Sequence, residues 1–293
     1  MLAQLPGAGE IFLDHVAHFV PAIPAAAAAL EACGFRLTRF TAQVNRIDGK
    51  TIPAGTGNRC AMFRRGYIEI LAATEDTPLA RQLQQRLARY VGVHLAAFSS
   101  TDAEGQHRRL AATGFQVLPL VDMHRPVATE DGEAQARFTI ARIADGRMPE
   151  GRIQILTHHT ENLVWRAPYL DHPNGAQALL ALWIGAVDPA DPAERFARFT
   201  GRPARCEGEV VTIRLDRGSL RFASADYLQD QFGIVGGPPL PHLAAYEIEI
   251  ADLGRLRHQL TAAGFAIKET AEGIALNLPP AIGGAIAFRP PTG

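Results

Sequence analysis

The sequence predicts an α+β fold built from four units, each a strand, a helix and three more strands. Three observations carry that expectation. The stretch Leu13-Asp14-His15-Val16-Ala17-His18-Phe19 recurs as Gly92-Val93-His94-Leu95-Ala96-Ala97-Phe98, laying His15 on His94, Ala17 on Ala96 and Phe19 on Phe98. A Gly-Phe pair closes a helical stretch at positions 34, 114 and 264, with Gly201 in the remaining place. The strand Tyr67-Ile68-Glu69-Ile70-Leu71 has a counterpart in Arg152-Ile153-Gln154-Ile155-Leu156. Repetition of element order at this spacing points to duplication followed by divergence.

Each element follows from local chemistry. Branched and aromatic residues make 11–20 a strand. Pro21 and Pro24 introduce a helix over 25–32, stopped at Gly34. A second strand is expected over 35–44. Gly49, Pro53, Gly55 and Gly57 mark 48–58 as a loop, with strands at 59–65 and 67–72. A connecting helix spans 81–90. The second unit has a strand at 92–99 and a helix from Thr101 and Asp102 to about Ala112. Its strands lie at 115–120, 136–143 and 152–157, and 122–133 is expected as an inserted mobile loop. Weaker copies place strands at 180–187, 209–215 and 219–223 with a helix at 192–199. The last has strands at 242–250, 266–270, 273–278 and 285–289 with a helix at 253–263. The turn-rich run Asp171-His172-Pro173-Asn174-Gly175 divides a first domain, 10–176, from a second, 177–293.

Bulk properties narrow the function. A chain of 293 residues, 47% hydrophobic and 20% charged, buries a substantial core as a soluble protein. Net charge of -1 gives no basis for a nucleic-acid or anionic-membrane partner. Cys33, Cys60 and Cys206 are odd in number and widely spaced, so a disulfide framework is not expected and a reducing cytoplasm is the expected location. Residues 1–9 lack the positive and apolar runs of a secretory signal, and 25–30 is too short to span a bilayer.

Alternate residues of a strand share a face, so Glu69 projects with Tyr67 and Leu71, and Gln154 takes the same place in the second unit. If the two units face each other across a pseudo-twofold axis, His15, His94, Glu69 and Gln154 converge. Two imidazoles and a carboxylate are the facial set used by non-haem iron and other divalent metals. A lone strand histidine is otherwise a hydrogen-bonded core residue, and a lone strand glutamate a solvated one.

The order of units, Asp14-His15, Gly55-Thr56-Gly57-Asn58, Gly66-Tyr67-Ile68-Glu69-Ile70, and His158-His159-Thr160-Glu161-Asn162-Leu163-Val164-Trp165-Arg166 followed by His172-Pro173-Asn174-Gly175-Ala176 resemble the glyoxalase-like branch of the vicinal oxygen chelate superfamily. The resemblance covers about residues 11 to 176. It implies βαβββ modules paired into open β-barrels, with one divalent metal held between two modules. It assigns the ligand positions to His15, His94, Glu69 and Gln154. In glyoxalase I enzymes the last is a glutamate that can also act as base, which an amide cannot do. Iron, manganese, nickel and zinc all suit the set.

Other residues carry two readings each. His158 continues the face of Gln154 and Leu156 into the cavity as an acid or base, or it ends the strand at the surface. Asn58 orients substrate or serves a turn; Arg166 clamps a substrate carboxylate or sits exposed on a loop. Tyr67 and Phe98 line the cavity wall. His18 lies on the opposite face from His15, and His172 and Asn174 are structural. Residues 177–293 carry no ligand set and enclose substrate or form a homodimer interface. The expected activity is metal-dependent Lewis-acid chemistry, of lyase or isomerase type, on a small molecule with vicinal oxygens. The alternatives are an extradiol-type iron(II) dioxygenase and a non-catalytic small-ligand-binding protein.

Overall fold

A computed structural model describes residues 4–47, 50–129, 132–234 and 237–291. The first half runs β1 (Phe12–Phe19), α1 (Ile23–Ala32), β2 (Thr41–Ile47), β3 (Lys50–Met62), β4 (Tyr67–Ala73), α2 (Pro78–Leu87), β5 (Gly92–Ser99), α3 (Ala103–Ala112), β6 (Val121–Thr129), β7 (Gly132–Arg142) and β8 (Arg152–His158). After a short α4 (Glu161–Val164) come β9 (Ala176–Gly185), α5 (Ala190–Thr200), β10 (Ala204–Glu207), β11 (Val210–Arg214), β12 (Ser219–Ala223) and α6 (Ala225–Phe232). The chain ends with β13 (His242–Ile250), α7 (Leu253–Ala262), β14 (Lys268–Thr270), β15 (Gly273–Asn277) and β16 (Ala285–Arg289).

The repeated Gly-Phe pair is a helix stop. Gly34, Gly114 and Gly264 have φ of 80°, 86° and 82°, a left-handed turn that glycine adopts without a steric penalty. The following phenylalanine amide then reaches back to a leucine carbonyl: Phe35 to Leu30, Phe115 to Leu110 and Phe265 to Leu260, at 3.1, 3.0 and 3.0 Å. That six-to-one bond satisfies a carbonyl the helix end leaves open. At the other ends, Thr77, Asp102 and Asp252 side chains accept from the amides of Ala80, Gly105 and Arg255, each meeting an orphan donor of the first turn.

Strands β1 to β8 close into a barrel in the order β1-β4-β3-β2-β6-β7-β8-β5. Closure depends on two segments expected as loops. Residues 50–58 belong to β3, and 121–129 with 132–142 form a hairpin; 48–49 and 130–131 lie outside the described residues. The two hairpins pair along their edge strands β2 and β6, Val44 with His124 and Asn45 with Met123, joining the two units edge to edge. Glycine and proline marked these segments as loops, yet Pro53 and Pro126 stand within antiparallel ladders opposite Val44 and Gln135. Conversely, 115–120 is no strand and keeps only a bridge from Val117 to Ile143.

Strands β9 to β16 form a second eight-stranded sheet, ordered β10-β11-β12-β9-β13-β16-β15-β14. One continuous core joins the halves: Val16, Ile68, Phe98 and Ile155 from the outer barrel face meet Leu182, Phe199, Tyr246 and Ile286. A separate cluster, including Ala17, Phe19, Leu95, Ala97 and Phe138, fills the barrel interior. Strand β1 is therefore buried along its whole length, which explains an apolar run broken only by Asp14, His15 and His18. No helix among the described residues is long and apolar enough to cross a membrane.

Candidate active site in the first barrel

Inside the barrel lies a cavity whose wall includes His15, Asn58, Tyr67, Glu69, Leu95 and Gln154. His15 comes from β1, Asn58 from β3, Tyr67 and Glu69 from β4. Nε2 of His15 stands 3.8 Å from Oε2 of Glu69. The other ring nitrogen, Nδ1, is 2.7 Å from Oδ1 of Asp14. Oδ2 of Asp14 meets Nε2 of His158 at 2.9 Å. Both partners of that second bond are fully buried. The two histidines hold the Asp14 carboxyl well below the usual carboxylate range, against the opposing effect of burial. With Asp14 accepting at Nδ1, the lone pair of a neutral His15 is left at Nε2, facing the cavity.

Tyr67 lies flat on the His15 ring, with centroids 4.3 Å apart and planes 18° from parallel. Burial raises its phenol well above the usual value, aided by the charges of Asp14, Cys60 and Glu69, so it remains protonated. Glu69 is fixed from its other oxygen: Oε1 accepts from the Asn58 amide and, at 3.2 Å, from the Gln43 amide. Thr56 in turn donates to the Gln43 carbonyl at 2.7 Å. Asn58 thus positions a carboxylate and does not merely serve a turn. Gln43, Thr56 and the orienting role of Asp14 are additions that the sequence pattern did not show.

His94 does not line this cavity. Its Nε2 donates to the Tyr90 carbonyl at 2.8 Å, and its ring stacks on Tyr90 and Phe19 at 3.9 and 5.2 Å. Burial pushes it down to about 3, so it is neutral in the fold. The reason is a register offset of one residue. β1 and β4 run parallel with His15 beside Tyr67 and Ala17 beside Glu69. β5 and β8 run parallel with Leu95 beside Arg152 and Ala97 beside Gln154. The counterpart of His15 is therefore Leu95, and that of His94 is Asp14.

Two mirrored bulges bear out this equivalence, one at the same place in each copy. In the β1·β5 ladder Leu13 pairs with Phe98 and His15 with Ala97, which leaves Asp14 unmatched. Ala17 pairs with Leu95 and His18 with Val93, which leaves His94 unmatched. A bulge inserts one residue and re-aims its neighbours. Glycines confirm the equivalence: a Cβ on Gly66 would stand 2.9 Å from the Asp14 carbonyl oxygen, and one on Gly151 would stand 2.8 Å from that of His94.

The expected metal set is thus broken. Its four structural positions hold His15, Glu69, Leu95 and Gln154, two strong donors with an aliphatic side chain and a neutral amide. Among the described residues no group of three or more His, Cys, Asp or Glu could hold a metal ion. Arg125, Arg142 and Arg152 line the same cavity, and their positive charge opposes a divalent cation. These residues do not fit the metal that the resemblance implies.

Three further expectations are corrected. His158 lies beneath the cavity wall, bound to Asp14 and packed edge-on against Trp165 and Phe138. Phe98 is on the outer barrel face, where it packs on Phe199 with centroids 5.4 Å apart; the one-residue offset turns it away from the interior. Arg166 stands at a neighbouring cavity of about 530 Å³ at the β2 and β6 side of the barrel, close to Tyr169. Arg125 lines both cavities and so stands between them. The inner cavity itself has about 40 Å³ of free space, room for roughly two to four waters. An organic occupant enters only as side chains give way.

A family model described as a glyoxalase-like domain matches residues 13–200, more than half of the chain. The chain belongs to the glyoxalase-like domain family, and its fold is that of the vicinal oxygen chelate superfamily. No curated protein matches it in sequence. A hypothetical protein from Staphylococcus aureus superposes with a TM-score of 0.61 at 11% identity, over 96% of this chain and 99% of the other. A triple mutant of 4-hydroxymandelate synthase from Streptomyces coelicolor gives 0.55 at 13% identity, over 96% and 93%. The Mn(II)-bound glyoxalase from Novosphingobium aromaticivorans gives 0.55 at 11%, over 97% and 82%.

Proposed function

We propose that the barrel is a proton-transfer site for a small carbonyl compound with adjacent oxygens, working as a lyase or isomerase. The observation that carries this is the buried Asp14–His15 pair, with Nε2 of His15 open to the cavity 3.8 Å from Glu69. A carboxylate behind an imidazole fixes its tautomer and stabilises the imidazolium that forms when it takes a proton. His15 Nε2 removes a proton from the carbon beside the carbonyl, the C–H electron pair moves into the enolate, and the imidazolium returns the proton. Glu69, anchored by Asn58 and Gln43, faces the same space as a second site for the proton. Gln154 cannot act as base, but its amide can donate to the developing oxyanion.

Exchange of hydrogen for deuterium beside the carbonyl of pyruvate and hydroxyacetone, followed by NMR in D₂O, tests this. The wild type should accelerate exchange in at least one of them, and His15→Gln should lose about a hundredfold or more of that rate. Equal rates in the two proteins, or no acceleration by the wild type, would remove His15 from the chemistry. A second reading, capture of a ligand without turnover, draws on Leu95 and Gln154 occupying two of the four ligand positions. Saturable binding without any exchange would favour it.

A further inference from the structure

Arg142 on β7 stands directly opposite Gln154 on β8, and Arg152 precedes Gln154 by two residues, on the same inward face. Both are partly buried as residues, yet Nε of Arg142 and Nη2 of Arg152 are shielded from water without a hydrogen-bond acceptor. Nε of Arg125 is in the same condition. Behind them Arg86 has its own partner in Asp145. Among the described residues the one carboxylate on the cavity wall, Glu69, has Oε1 occupied by Asn58 and Gln43 and Oε2 turned to His15.

Burying cations side by side without counter-charge is strongly unfavourable. Burial presses Arg142 down to about 10. For Arg152, burial and the charge of Arg142 together press it down to about 9, so both stay charged at neutral pH. The second sheet pairs its inward arginines, the half-buried Arg221 and the buried Arg289, with a buried carboxylate. There Arg221 and Arg289 both reach Oε1 of Glu247, at 3.1 and 2.9 Å. Among the described residues no hydrogen bond joins Arg142 or Arg152 to a carboxylate, and Asp145 and Glu69 act on Arg152 through their charge alone.

We propose that Arg142 and Arg152 form a binding site for an oxyanion, the carboxylate or phosphoryl group of a small substrate, which supplies the missing acceptors. Their planar donor forks match two-oxygen recognition. Arg125, in contact with Cys60 Sγ at 3.9 Å and over the Phe138 ring at 6.0 Å, lines the same cavity and adds a third positive charge to it. This deepens the proposed function, because an oxyanion held at the Gln154 end of the cavity presents the neighbouring carbonyl to His15. It rests on that reading for the chemistry, while the anion site stands on the arginines alone.

Calorimetric and thermal-shift titrations of the full chain with pyruvate, inorganic phosphate and uncharged pyruvamide test the site. Pyruvate or phosphate should bind saturably and raise the melting temperature, and pyruvamide should do neither. Preference between the two anions assigns carboxylate or phosphoryl. Arg142→Gln and Arg152→Gln should each weaken the anion about ten- to a hundredfold, the worth of a charge-assisted hydrogen bond. His15→Gln should keep anion affinity while losing proton exchange, which separates failure of this site from failure of the proposed chemistry. The comparison of pyruvate with pyruvamide uses wild-type protein, so misfolded variants leave it intact. Absence of binding by both anions, equal affinity for pyruvamide, or undiminished affinity in both arginine variants overturns the site.

Discussion

Asp14 is fully buried and holds two imidazoles at once, His15 at 2.7 Å and His158 at 2.9 Å. Replacing it by Asn leaves one of those rings facing an amide donor in place of an acceptor. Losing a buried hydrogen bond to a charged group in this way costs about 1.5–3 kcal/mol. Asp14→Asn is therefore expected to lower urea stability by that order and to slow exchange at His15 further than the stability loss explains, since His15 loses its fixed tautomer. An Asn variant with wild-type exchange would show that the pair only packs. Residue type alone marked His15 and Glu69 as polar side chains in otherwise apolar strands, and Asn58 as the end of a glycine-bearing loop. It did not mark Asp14 as the hub, because that role depends on His158, distant in sequence and brought there by the closed barrel. Nor did it mark Arg142 and Arg152, although the inward parity of Gln154 and Leu156 already placed Arg152 on the cavity face.

At the level of elements, the repeat was legible where it is written in backbone chemistry. The Gly-Phe helix stop occurs three times with its leucine partner, and the structure forms the same bond at each. The strand register was not legible, because residue type does not say which residue of a first strand lies beside which residue of its last-strand partner. Matching histidine to histidine therefore placed His94 at the site, whereas the ladders place Leu95 there. A one-residue slip exchanges the faces of a strand. It follows that His94→Gln should leave the zinc or manganese affinity of the protein unchanged. Leu95→His combined with Gln154→Glu should raise it, because His15 and Glu69 already stand on the same wall. Loss of affinity in His94→Gln, measured by equilibrium dialysis, would return His94 to the site and sink the register argument.

Across the whole molecule, buried histidines tie the two sheets together. His18 on β1 reaches across the seam to the Ile282 carbonyl and the Tyr246 hydroxyl, at 3.2 and 2.9 Å. Burial pushes His18 and His242 each down to about 4 and His94 down to about 3. Unfolding restores the ordinary value near 6.5, so the unfolded chain takes up protons that the fold refuses. Their contribution to stability is fully present above about pH 6.5 and is lost as pH falls from there toward about 4, at about 1.4 kcal/mol per pH unit for each group. Urea denaturation across that range should show the decline, and His18→Gln should make it shallower by one group's share. An unchanged slope would mean that His18 is protonated in the fold. The loops expected at 48–58 and 122–133 were misread at this scale too. Their glycines and prolines are local signals, while the pairing of β2 with β6 is made between segments almost eighty residues apart.

The mirrored bulges bear on how function is transferred between relatives. Two copies of one strand have kept the irregularity and exchanged its content: an acid in the first, an imidazole packed against aromatic rings in the second. An alignment scored by residue identity rewards the coincidence of histidines and conceals the exchange. Homologous chains are better compared by anchoring on Gly66 and Gly151, whose close contacts with the bulge carbonyls fix the spacing. Counting forward from the residue each glycine touches then says which side chain reaches the cavity. On that ruler a relative with histidine one place later, at the position of Leu95, holds a third metal donor, while one with histidine only at the position of His94 does not.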